Sequence, residues 1–490
     1  MVERARWPRR LSPMRTRTRP APLRMRWVLA VLATAPFLAA GDGRAAGFQV
    51  NEQNARGLGS AFAGEAASAE DAGTIFFNPA GLTLLKGTQF VTGGFAIKPT
   101  ANFHNNGSTT NPTVIGGGPL KGGNDGNGTP MALVDTFFAS HELLSDRLWI
   151  GFGASTPYGL KTSWNPSWVG RYHAIDTELI TINTNPSLAV KLSDWFSFGA
   201  GADVEYARAR LTNALDLGSL CQVVGRQQGI PAPICLRVLG LKPQGTDGFV
   251  VFRGDDFNAS YNVGFLFTPS DTTRIGLAYR AYTHHSLGGQ ASFGLPKRGQ
   301  ALRKLSGALF DTGGHAAVDL PDRVSLSAFH QLTPRWAFLA DITWTHWSQF
   351  KDLIFYFDNP KQPTLVAPQR WNDSFRYSLG LRWDPFRQWS FRLGGAYDET
   401  PVPSQELRTA RIPDSDRIWA TFGAGFRWTD RVRFDFGYAH LFSIRASSDN
   451  PDPISHDVLK GHYTAHADIV GLGLTYTPRW PLWPPWGKPL

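Results

Sequence analysis

The chain has 490 residues and a formal net charge of +10, yet residues 1–45 hold ten arginines against only Glu3 and Asp42. About +2 therefore belongs to the rest, so the basic balance describes a leader and lends no support to nucleic-acid binding. With 33 Phe, 17 Trp and 12 Tyr at a mean hydropathy of −0.22, the apolar residues beyond the leader are not gathered into helices that could span a bilayer.

Residues 1–45 read as a signal peptide. Nine arginines precede the apolar run "WVLAVLATAPFLAA" at 27–40, which is too short for a spanning helix. Gly43 and Ala45 supply the small residues that a signal peptidase reads, placing the cut before Ala46; Met25 offers a second start that shortens the basic run. Residues 46–86 form a separate segment, rich in small residues from Gly57 to Ala67 and ending near the turn Asn78-Pro79-Ala80-Gly81. Proline fixes φ in that turn, and Gly81 is free to take φ > 0.

From residue 87 the period becomes two. Trp336, Phe338, Ala340, Ile342 and Trp344 share one face, against Asp341, Thr343 and Thr345 on the other. The stretches 375–384, 418–428 and 432–438 repeat the plan. Strands are expected near 89–103, 131–141, 148–160, 172–192, 195–211, 249–268 and 274–293. Seven more are expected near 315–332, 335–357, 371–384, 389–402, 414–428, 431–444 and 466–477. Such segments, apolar on one face and rich in Arg, Asp, Gly and Thr on the other, with aromatics at their ends, suit a wall between lipid and a polar lumen.

The fold class expected is all-β, a 14-stranded antiparallel transmembrane β-barrel over 87–477, followed by a Pro- and Trp-rich tail at 478–490. An even strand number closes a single-chain bacterial barrel. Strand side chains alone do not fill one this wide, so residues 46–86 are the expected plug.

Two long connections, 212–248 and 294–314, are assigned to the outer side. Cys221 and Cys235 both lie in the first and read as one local disulfide in an oxidising compartment. Leu217, Leu220, Cys221 and Val224 fall there at helical spacing, as do Leu302, Leu305, Leu309 and Phe310 in the second. An apolar stripe on such a loop either packs down as a lid or receives a greasy ligand. No metal or cofactor is expected. Zinc needs more ligands than the two cysteines, and His462 and His466 lack the glutamate of HExxH. "GLGSAFAG" at 57–64 places Phe62 where a dinucleotide loop needs its third glycine.

The segment "AGFQVNEQNARGLGSAFAGEAASAEDAGTIFFNPAGL" resembles the N-terminal hatch of the FadL/TodX family of outer-membrane transporters for hydrophobic compounds. Asn78, Pro79 and Ala80, followed by Gly81, match its hatch signature. "GFGASTPYGL" (151–160) and "WVGRYHAIDTELITINTNPSLAVKL" (168–192) continue a likeness that covers essentially all of 46–477. The resemblance implies a passive transporter rather than an enzyme, in the outer membrane of a Gram-negative cell, for long-chain fatty acids above other cargo. Outer loops capture the ligand, the hatch shifts, and release is sideways into the membrane at a kinked third strand. Pro157 cannot donate a ladder hydrogen bond, and with Gly153 and Gly159 beside it this is the expected gate. Leu302, Leu305, Leu309 and Phe310 are the expected capture residues, and Arg171, from the matched "GRY", the expected carboxylate partner.

The implied partners are a hydrophobic ligand, outer-membrane lipid and the barrel assembly machinery, with the chain a monomer. The family ends its barrel on an aromatic residue. Here Tyr476 would serve as an internal version of that signal, since "TPRWPLWPPWGKPL" follows it. Three alternatives stand beside this reading: an aromatic-hydrocarbon channel of the same family, a barrel enzyme for which no motif is found, and an open porin, which has no use for a plug.

Overall fold

The computed structural model describes residues 47–144, 146–227 and 231–478; the expected signal peptide and all but the first residue of the expected tail lie outside them. The wall begins with β1 (Thr88–Asn105), β2 (Ala132–Leu144), β3 (Leu148–Ser155 and Gly159–Ser163), β4 (Asp176–Ser193) and β5 (Phe196–Asp216). It continues through β6 (Asp247–Ser270), β7 (Thr273–Arg280 and Thr283–Gly294), β8 (Thr312–Leu320 and Arg323–Thr333) and β9 (Trp336–Thr345 and Asp352–Phe357). β10 (Leu365–Pro368 and Ser374–Phe386), β11 (Trp389–Asp398), β12 (Arg417–Arg427), β13 (Val432–Ser443 and Ala446–Pro451) and β14 (Val458–Tyr476) complete it. Each two-part strand is one wall strand interrupted by a bend; both parts of β7, for instance, pair with β6. β1 and β14 run antiparallel from Phe90↔Tyr476 to Asn105↔Gly461, which closes the 14-stranded barrel.

Burial follows the alternation. Asp341 is 5% exposed and faces the lumen, whereas Trp336 is 41% exposed on the outer face. Aromatic pairs gather at the end that carries the short turns: Trp336 stacks on Trp383 at 5.6 Å and Trp389 lies 4.7 Å from Phe426. Such a girdle marks a membrane interface, and short turns mark the periplasmic side.

Strand ends differ from expectation where the chain leaves the lipid belt. β14 starts at Val458 rather than near 466, and the second part of β13 reaches Pro451. These ends form a polar hairpin with Asp449 opposite Lys460, where the apolar/polar contrast that revealed the other strands is lost. β4 starts at Asp176 rather than near 172. The preceding apolar residues form a buried loop in which Trp164 stacks on Trp168 at 4.3 Å, an apolar run without strand pairing.

Inside the wall, α1 (Ala55–Leu58), α2 (Glu65–Ser68), α3 (Thr74–Phe77) and a 3-10 turn (Pro79–Leu84) make up the N-terminal segment. The two long outer connections carry α4 (Leu217–Gln227) and α5 (Gly299–Ser306).

Candidate functional site

The site starts from how the N-terminal segment is seated. Asn78 is fully buried. Its Oδ1 accepts from Ala80 N at 3.0 Å, capping the 3-10 turn, while its Nδ2 donates to Ala66 O at 2.7 Å and to Phe265 O of β6 at 3.0 Å. Glycines in the wall make room for this turn: a Cβ on Gly264 would overlap Asn78 Oδ1, and one on Gly199 would overlap the Ala80 backbone. Gly423 meets Gly59 and Gly394 meets Ser60 in the same way. Gly81 packs on Thr74 and Ala69 with no room for a side chain.

An ionic network ties the same segment to the opposite wall. Arg56, buried in α1, reaches Asp435 of β13 at 3.0 Å and Asp71 at 3.3 Å. Glu70 bridges Arg382 of β10 and Arg392 of β11, each at 2.6 Å. Burial alone would raise the Glu70 carboxyl, but Arg392, Arg382 and Arg56 together hold it well below the usual carboxylate range.

The third strand breaks at Thr156-Pro157-Tyr158. The β2–β3 ladder ends at Phe137↔Ala154, while β2 continues against β1 to Ala132↔Ile97. Residues 132–136 of β2 therefore have no ladder partner on the β3 side among the described residues. The bent segment turns instead to the N-terminal arm. Val50 N donates to Pro157 O at 2.9 Å, Gly159 N donates to Phe48 O at 3.0 Å, and Gln53 Nε2 donates to Thr156 O at 2.8 Å. Gln49 and Tyr158 sit opposite each other in this short antiparallel bridge.

Above the bridge lies an aromatic pocket filled by the arm itself. The Phe48 ring is 4.9 Å from Trp347, 5.7 Å from Phe350, 5.8 Å from Trp371 and 6.0 Å from Tyr158. Leu302, Phe252 and Phe355 belong to the same cluster. Two indole N–H groups in it, of Trp347 and Trp371, are buried without an acceptor among the described residues. One step below, Arg323 faces Thr345 across the β8–β9 ladder. Its guanidinium is buried over the Phe76 ring at 4.6 Å, with no hydrogen bond or ion pair among the described residues. The void beside Phe76, Arg280 and Arg323 is about 10 Å³, room for one water at most.

A closed 14-stranded barrel with a seated N-terminal plug and a broken third strand is matched by what the chain resembles. The family model described as outer membrane protein transport protein (OMPP1/FadL/TodX) matches residues 37–477. The chain belongs to this family. It is 31% identical over 423 residues to the long-chain fatty acid transport protein of Escherichia coli strain K12, covering 84% of this chain and 91% of that one. It is 30% identical over 466 residues to outer membrane protein P1 of Haemophilus influenzae strain Rd, covering 91% and 98%. Among solved structures, a Pseudomonas aeruginosa FadL homologue superposes with a TM-score of 0.79 at 25% identity, over 88% of this chain and 99% of that one. The toluene transporter TodX of P. putida shares the fold, with a TM-score of 0.63 at 18% identity over 87% and 100%. The protein is an outer-membrane β-barrel.

Within this FadL/TodX barrel the residues singled out from sequence are distributed unevenly. Asn78, Pro79, Ala80 and Gly81 come together at the plug–wall contact, and Pro157 and Gly159 at the break in β3. Gly153 lies below the break in regular ladder, opposite Phe138 and Asn185, and its missing side chain makes room for Ile75 of α3. The expected stripe in the second long loop is divided. Leu302 is buried and Leu309 packs against the aromatic cluster, but Leu305 and Phe310 are 55% and 43% exposed. α5 ends at Ser306, with Gly307 left-handed, so the last two residues leave the helical spacing.

Arg171 is buried among loops, pairing with Asp247 at 2.9 Å and donating to Lys121 O and Tyr172 Oη. Cys221 and Cys235 are bonded to each other and belong to the same buried apolar cluster as Phe48 and Trp347. Three features escaped the sequence: the arm–kink bridge, Arg323 and the purpose of the wall glycines. Only the last left a signal, as glycines recurring at lumen-facing positions such as Gly380, Gly423 and Gly437.

Proposed function

We propose that the protein carries long-chain fatty acids passively across the outer membrane, with residues 46–86 as the hatch and 87–477 as the barrel. Membership of a family of transport proteins, and a relative named for long-chain fatty acid transport, support the class of cargo. The observation that carries the choice of cargo is Arg323. A buried cation with no carboxylate within ion-pair distance among the described residues, under an aromatic pocket with two unsatisfied indole donors, fits an amphiphile with a carboxylate head. A neutral hydrocarbon would leave all three groups unpaired.

Exposed Leu305 and Phe310 offer first contact on the outer side, and Leu302 and Leu309 lead into the pocket. An acyl chain gains about 0.8 kcal/mol per CH₂ buried there, and to enter it must displace Phe48. Phe48 and Val50 also hold the bent segment of β3, so the same displacement releases Pro157 and Gly159 and opens the stretch of β2 that has no ladder partner on the β3 side among the described residues. The ligand leaves sideways into lipid. No energy source is needed if the acid is consumed downstream. Assembly of the wall uses Tyr476 as the aromatic end signal, and the barrel works as a monomer.

The test is Arg323→Ala in purified protein. Loss of a charge-assisted contact worth roughly 1.5–3 kcal/mol should weaken oleate binding about tenfold or more, with toluene binding unchanged. Equal loss for both ligands, or unchanged oleate binding, would remove the fatty-acid reading and favour the solved monoaromatic hydrocarbon channels as the better guide.

A further inference from the structure

The periplasmic mouth of the lumen is lined by arginines that the transport path does not use. One cavity of about 550 Å³ is lined by Arg335, Arg382, Arg387, Arg392, Arg427 and Arg433, against only Glu70 and Asp384. A second, of about 460 Å³, shares Glu70, Arg382 and Arg433 with it and adds Arg56 and Arg274 against Asp271. Some of this charge is matched. Asp435 takes Arg56 and Arg433 and reaches Arg392 at 3.7 Å, Glu70 takes Arg382 and Arg392, Asp384 also takes Arg382 at 3.0 Å, and Arg387 reaches Asp430 at 3.6 Å. Arg274, Arg335 and Arg427 have no carboxylate within ion-pair distance among the described residues. Arg274 donates to Ser68 O and lies over the Phe329 ring at 4.3 Å. Arg335 and Arg387 stand in the short turns after β8 and β10, so the cavity opens to the periplasm rather than to the lipid face.

We infer that this mouth is a binding site for a soluble multivalent anion of the phosphate class, which enters from the periplasm and competes with Glu70 for Arg382 and Arg392. Guanidinium forks match phosphate oxygens in geometry as well as charge, and several cations around one enclosed volume favour a dianion over chloride. Glu70 is the hatch residue that joins two wall strands. An anion on Arg382 and Arg392 therefore loosens the hatch from below, while the fatty acid acts on its arm from above. The site is separate from the Arg323 pocket and does not depend on the identity of the cargo.

The test is calorimetric titration of inorganic pyrophosphate into the full chain in nonionic detergent, at ionic strength held constant with sodium chloride. One-to-one saturable binding is expected. Arg335→Ala with Arg427→Ala, both exposed and away from the hatch, should weaken it at least tenfold. Glu70→Gln, which takes one carboxylate from each of Arg382 and Arg392 and leaves them Asp384 and Asp435, should tighten it at least fivefold. Asp194→Asn, the same charge change in a turn away from the cavity, should leave it unchanged. Absence of saturable heat, equal affinity in the double arginine variant, or equal tightening by Asp194→Asn would overturn the proposal.

Discussion

Gly264→Val is expected to unseat the hatch and turn a closed barrel into an open pore. A Cβ at this position has no free volume, because it meets the Asn78 carboxamide and, at 3.1 Å, Pro79 Cδ. β6 cannot retreat, since Gly264 is paired with Gly199 on one side and Ala278 on the other. Overpacking of this kind costs roughly 1–3 kcal/mol where neighbours can adjust. Here the neighbour is a fully buried Asn78, whose donors and acceptor would lose Ala66, Phe265 and Ala80 at about 1–3 kcal/mol for each group left unsatisfied. The wall ladder does not use the substituted side chain, so the heat-modifiable barrel band should persist. In planar bilayers the wild type should pass little steady current and the variant a large one. A closed Gly264→Val barrel would show that the Asn78 contact does not hold the hatch in place.

Phe48→Ala should raise oleate affinity rather than lower it. In the closed protein the Phe48 ring fills the pocket among Tyr158, Trp347, Phe350 and Trp371, and a ligand entering there must displace it. Burying a Phe side chain is worth roughly 1.5–3 kcal/mol. Removing that competitor should tighten oleate binding by about tenfold to a hundredfold, measured by displacement of a fluorescent fatty acid. Weaker binding would make Phe48 part of the ligand site and not its occupant.

How much of this was legible in the sequence depends on which contrast each feature leaves. The wall strands alternate because one face meets lipid and the other the lumen, so Trp336 to Trp344 and Phe375 to Trp383 announced themselves. The Asn78 turn was legible through its resemblance to a known hatch. The arm–kink bridge was not, because two backbone hydrogen bonds and one side-chain bond between residues 48–53 and 156–159 impose no periodicity on either segment. Arg323 was hidden for a different reason. Arginines recur along the lumen face, and only the fold tells which of them meets a carboxylate, as Arg56 meets Asp435, and which does not. Arg171 shows the converse: a residue in a matched motif whose guanidinium is spent on Asp247 and its neighbours.

In the proposed mechanism the hatch arm and the broken third strand move together to release the ligand. Gln49 and Tyr158 offer the most direct test, because they face each other in the arm–kink bridge between the bonds Val50 N–Pro157 O and Gly159 N–Phe48 O. In this antiparallel geometry opposed Cα atoms lie about 4.5 Å apart, within the reach of a disulfide. Labelled oleate uptake would be measured in cells lacking their own transporter and carrying Gln49→Cys with Tyr158→Cys, before and after oxidation and after reduction. Uptake that stops when the cross-link is complete and returns on reduction is the predicted result. Undiminished uptake through the fully cross-linked protein would contradict the account, since the ligand would then cross without parting the arm from β3.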